Sequence, residues 1–61
     1  MTRGRILVVD DEPGTREALA EKLRYTGYTV EVAESAESAL SRLSAVDPDL
    51  VLTDLYMPGM S

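Results

Sequence analysis

The 61-residue chain contains no cysteine and no histidine. The first absence removes the disulfides that often stabilise chains of this size, and the two together remove the usual nitrogen and sulfur ligands of structural zinc. Long apolar runs are missing as well. The N-terminal segment "MTRGRILVVDDE" carries two arginines before an apolar run, Ile6 to Val9, which is too short for a signal peptide or a membrane span and ends in acids. A cytoplasmic location is therefore expected. Cationic side chains are few: 6 Lys and Arg stand against 11 Asp and Glu, for a net charge of −5. That balance argues against direct contact of this segment with nucleic-acid phosphates. A metal cation bound through oxygen ligands, or a basic partner, suits it better. A chain this short buries only about 60% of the surface its unfolded form exposes, so marginal stability is expected.

What the chain does contain is a regular alternation. Ile6 to Val9 is a continuous aliphatic run, as in a strand covered on both faces, and Asp10, Asp11 and Glu12 follow its C-terminal end. Pro13 suits a first helical position, Ala18, Leu19 and Leu23 recur at helical spacing, and Gly27 suits a helix stop. "YTVEVA" alternates like a half-buried edge strand. Ser35 can cap a second helix with an apolar stripe of Ala36, Ala39, Leu40 and Leu43, and "VDPD" turns the chain into a third strand, Leu50 to Thr53, ending at Asp54. The order β-α-β-α-β with short connections predicts an α/β fold with a parallel sheet and right-handed crossovers. The first and third runs are the more buried in character, so the expected strand order is 2-1-3. Asp10, Asp11 and Asp54 then converge on one rim.

Three carboxylates at adjacent strand ends repel one another unless a proton or a cation intervenes. Mg²⁺ takes oxygen ligands and is usually bound by one or two carboxylates plus a phosphate, and ligands of such sheets bind beyond the carboxyl ends of the strands. The simpler reading, that acids after strands cap helices, fits Glu12 beside Pro13 best. The metal reading fits Asp10, Asp11 and Asp54 together. Asp54 is also the one plausible nucleophile, since carboxylates form aspartyl phosphates, and the hydroxyls of Ser35, Ser38, Ser41 and Ser44 have no adjacent base. Thr53 should point the other way along the strand, into packing.

"ILVVDDEP", a helix with Gly27, and "DLVLTDLYMPGMS" together resemble the receiver domain of bacterial two-component response regulators, over the whole chain. The resemblance implies a flavodoxin-like fold, with Asp54 as phosphoacceptor. It implies that Mg²⁺, for which Mn²⁺ can substitute, is bound by Asp11 directly, by Asp10 through water and by the backbone carbonyl of Tyr56. It further implies phosphorelay from a phosphohistidine on a sensor histidine kinase to an output domain, commonly a transcriptional one, with no enzymatic turnover of an external substrate.

A complete receiver looks like a five-stranded domain with a hydroxyl residue after strand four and a lysine after strand five. Residues 1–61 are expected to be the metal and phosphoacceptor half of such a domain, a truncated receiver; the single lysine, Lys22, lies on the first helix and is read as a solvated surface residue. An aspartate-nucleophile phosphatase would need D-x-D where this chain has Asp54-Leu55-Tyr56, and a dinucleotide-binding unit would need G-x-G-x-x-G after the first strand. Another alternative is an interaction module that does not signal. A bare third strand is also expected to recruit a second copy, giving a homodimer with strand order 2-1-3-3-1-2.

Overall fold

In the computed structural model, which describes residues 4–53, five elements alternate along the chain. They are β1 (Arg5–Val9), α1 (Pro13–Thr26), β2 (Thr29–Ala33), α2 (Ala36–Val46) and β3 (Leu50–Thr53). The strands form a three-stranded parallel sheet in the order β2-β1-β3. This is the flavodoxin-like arrangement expected from the alternation, with β1 in the middle.

Successive side chains of β1 point to opposite faces and define the two halves of the core. Ile6 and Val8 pack with Val30 and with Ala20 of α1, while Leu7 and Val9 pack with Ala33 and with Ala39 of α2. The helices therefore cover opposite faces of the sheet. Because β1 is flanked by strands on both edges and by a helix on each face, Leu7 and Val8 are the largest fully buried side chains.

Local chemistry sets the helix ends. Glu12 is the N-cap of α1, with its carboxylate accepting from the Gly14 N–H (2.9 Å) and Pro13 at the first helical position. Gly27 ends the helix at φ 117°, a conformation that costs glycine little, while its N–H and that of Tyr28 bond back to Arg24 and Leu23. Ser35 caps α2 by accepting from the Ser38 N–H (3.0 Å), and Asp47 closes it in the left-handed region. Asp49 then fixes the entry of β3: its carboxylate accepts from the Arg5 N–H (2.9 Å), and its own N–H donates to the Arg5 carbonyl (2.8 Å).

Three packing expectations need correction. Ala18 is exposed, and Ala20 is the α1 residue buried against β1, because at about 100° per residue Ala20 shares the sheet-facing stripe with Leu19 and Leu23 while Ala18 lies about 200° round from it. Leu40 and Leu43 are exposed rather than core, since β3 has no neighbour beyond it among the described residues and the outer part of the α2 face is left uncovered. Thr53 is exposed and lines a shallow apolar groove with Leu40, Leu43 and Val51. Among the described residues, no helix is long and apolar enough to cross a membrane.

Candidate functional site

The carboxyl ends of the three strands lie level, because Val9 pairs with Ala33 on one side and with Thr53 on the other. At this rim the chain leaves β1 directly into Asp10 and Asp11. Asp10 is 4% exposed and is held at three atoms. Its N–H donates to the Ala33 carbonyl (3.1 Å), its Oδ1 accepts from the Glu12 N–H (2.9 Å), and its carbonyl accepts from Nη1 of Arg16 (3.0 Å). The second of these is an Asx turn, in which a short acid folds the backbone two residues ahead around its own side chain.

The three consecutive acids thus separate by role. Asp10 is buried at the strand end, Asp11 is exposed at the apex of the turn, and Glu12 is committed to the helix cap. This division agrees with the capping reading of Glu12. Asp54 and Tyr56 lie outside the described residues, as does the Met-Pro-Gly sequence that follows them. Among the described residues, no three Asp, Glu, His or Cys side chains gather closely enough to hold a metal. The third acid of the expected set follows Thr53 directly in sequence.

The donors present fit a hard divalent cation. One oxygen of the Asp10 carboxylate is occupied by the turn amide, which leaves the other for a water of the ion, and the exposed Asp11 carboxylate is available for direct ligation. A cation that retains several waters tolerates such a site; a soft metal, which wants sulfur or imidazole, does not.

Arg16 is a residue that the sequence pattern did not single out. A charged side chain on an amphipathic helix reads as solvated surface, and nothing in its spacing signals a bond to the turn six residues earlier. Lys22, by contrast, is exposed on α1 as expected, about 14 Å along the helix from Pro13 at 1.5 Å per residue.

Comparison with known proteins agrees with this geometry. The family model for the response regulator receiver domain matches residues 6–61. The response regulator MprA of Mycolicibacterium vanbaalenii is 44% identical over 54 residues, covering 88% of this chain and 23% of that protein. The DNA-binding response regulator MtrA of Mycolicibacterium smegmatis is 46% identical over 59 residues, covering 97% and 26% respectively. The chain thus spans about a quarter of the length of these relatives. Among solved structures, the crystal structure of FixJ-N superposes on the whole chain with a TM-score of 0.81 at 38% identity, and 49% of its own length is matched. With an acidic turn leaving the central strand of a β2-β1-β3 sheet and a family match over nearly its full length, this chain belongs to the receiver domains of two-component response regulators, the phosphorelay signalling family.

Proposed function

We propose that this chain supplies the metal and phosphoacceptor half of a receiver, in which Asp54 accepts a phosphoryl group from the phosphohistidine of a sensor histidine kinase. The observation that carries the reading is the pairing of Val9 with Thr53, which brings the strand that leads into Asp10 and Asp11 level with the strand that leads into Asp54. A carboxylate oxygen of Asp54 attacks phosphorus, the phosphorus–nitrogen bond of the donor breaks, and the imidazole departs. Mg²⁺, or Mn²⁺ in its place, neutralises charge on the phosphoryl oxygens when bound. Asp11 would ligate that ion directly, Asp10 through water, and Asp54 and the Tyr56 carbonyl would complete the protein's share. The buried, three-point attachment of Asp10 means that little reorganisation of the turn is needed at the moment of transfer. The chain acts as a phosphoacceptor regulator rather than as an enzyme on an external substrate. A D-x-D phosphatase is disfavoured by Tyr56.

The relative named as a DNA-binding response regulator supports a transcriptional output, with the DNA contacts made outside these acidic residues and the protein acting in the cytoplasm. Calorimetric titration with Mg²⁺ and Mn²⁺ tests the site. Weak binding is expected, lost in Asp11→Asn and weakened in Asp54→Asn; unchanged affinity in both variants refutes it.

A second reading, an interaction module, is favoured by one observation. Leu50 and Val51 of β3 are exposed beside Leu40 and Leu43 of α2, an apolar face at a sheet edge. Antiparallel pairing of two β3 strands about a two-fold axis normal to the sheet keeps the two α2 faces on one side. Sedimentation across a dilution series tests this homodimer: a dimer that dissociates and unfolds together on dilution supports it, and a folded monomer at low micromolar concentration refutes it.

A further inference from the structure

We infer that Arg16 is a positioning residue that holds the β1–α1 turn in the shape that presents Asp10 and Asp11. The inference rests on the metal-site reading given above. Arg16 lies in the first turn of α1, where a positive charge opposes the helix dipole and an acid would serve the helix better; that turn contains no acid. Its side chain is nevertheless only 16% exposed. Helix stability alone does not account for a partly buried cation at this end. Among the described residues its one ion pair is with Glu17, whose Oε2 is 3.8 Å from Nε and largely exposed, so that pair contributes little.

What the guanidinium does reach is the Asp10 carbonyl, at 3.0 Å from Nη1. The backbone N–H of Arg16 meanwhile donates to the Glu12 carbonyl (2.9 Å). One residue therefore clamps both ends of the turn, its side chain fixing residue 10 and its main chain residue 12. Asp10 Oδ1 closes the same turn from within through the Glu12 N–H. Asp11, between the clamped residues, makes no side-chain contact of its own in this network. Its backbone placement follows from the positions of its two neighbours. Without the Nη1 bond, the Asp10 peptide can rotate, which turns the Asp10 carboxylate away from the Glu12 amide and moves Asp11 with it.

The positive charge has an opposing effect, since it repels a bound divalent cation and its removal would tighten binding. Arg16→Lys separates the two effects, since it keeps the charge and loses the forked donor, while 1 M NaCl screens only the exposed part of the charge. The test uses the 61-residue chain and Mn²⁺, followed by electron paramagnetic resonance in 1 M NaCl, together with the ¹³C shift of the Asp10 carbonyl in the metal-free protein. Arg16→Met is expected to weaken Mn²⁺ binding by about three- to tenfold, the equilibrium equivalent of one net hydrogen bond, and to move the Asp10 carbonyl resonance upfield. Arg42→Met is the control. The Arg42 guanidinium bonds Glu31 at 2.8 Å and makes no hydrogen bond to residues 10–12, so neither quantity should change. If Arg16→Met does not fold, Arg16→Lys, which keeps the charge and loses the fork, takes its place with the same expected direction. Loss of Mn²⁺ binding in Asp11→Asn, with binding and carbonyl shift unchanged in the Arg16 variant, overturns this inference and leaves the metal site standing. Unchanged binding in Asp11→Asn overturns the metal site itself, and the inference falls with it.

Discussion

Leu7 and Leu40 are both leucines in an apolar pattern, yet they occupy opposite environments, and replacing each by alanine measures the packing account. Leu7 is fully buried on the central strand, against the cluster of Val9, Ala33 and Ala39. Leucine-to-alanine changes at such sites cost about 2–5 kcal/mol, the transfer term plus the cavity left behind. A core this small rarely supplies more than about 3–5 kcal/mol in total. Leu7→Ala should therefore leave a chain that is largely unfolded at 25 °C. Leu40 is 71% exposed. Full burial of a leucine is worth about 1.5–3 kcal/mol, so the buried remainder of Leu40, roughly three-tenths, accounts for about 0.4–0.9 kcal/mol, part of which the better helix propensity of alanine offsets. The assay is urea denaturation followed by circular dichroism at low micromolar protein, with the slope against denaturant checked for constancy. Equal destabilisation by the two substitutions would refute the placement of α2. A cost for Leu40→Ala that grows with protein concentration would instead point to its burial between copies.

Three other expectations concern the turn, the caps and the chemistry. Glu12→Ala removes the α1 cap and should cost about 1 kcal/mol in the same denaturation assay, while Mn²⁺ affinity stays within a factor of two, because Glu12 caps rather than ligates. Gly27→Ala forces a β-carbon into the left-handed region at φ 117° and should destabilise by about 1 kcal/mol or more by the same measurement. Phosphotransfer from acetyl phosphate, timed by intact mass, should be on the order of 10²–10³ slower for the 61-residue chain than for a complete receiver, since Lys22, its single lysine, lies on α1 away from the rim and cannot share the developing phosphoryl charge.

The fold was legible because its signals are local and mutually consistent. An aliphatic run such as Ile6 to Val9 has few ways to be buried other than between two helices, and Gly27, Ser35 and Pro13 each mark a helix end by backbone chemistry that depends on little else. The strand order followed from comparing two apolar runs with one alternating run. What could not be read was which of several similar side chains a neighbour would cover. Ala18 and Ala20 do not differ in chemistry but lie about 200° apart around the helix, and Leu19 and Leu23, which pack on the same cluster as Ala20, put Ala18 on the far side. Leu40 and Leu43 lie on a proper helical stripe; their exposure depends on what stands beyond β3, which the spacing within α2 does not encode.

The site divides in the same way. Acids following a strand can be placed at a rim from topology alone, and the structure puts Asp10 and Asp11 there. Which of them is buried, and that Glu12 turns to cap, depends on hydrogen bonds of 2.9 Å that composition does not reveal. The Arg16 bond is the extreme case, being a contact made by a residue type ordinarily assigned to solvent.

The most direct test of the phosphoacceptor assignment is to incubate the chain with acetyl phosphate and Mg²⁺, weigh the intact protein, and repeat with Asp54→Asn and with the metal chelated. A mass increase of one phosphoryl group is expected in the unaltered chain with metal, and none in the variant or after chelation. Equal labelling of Asp54→Asn, or labelling that persists without metal, would contradict the assignment.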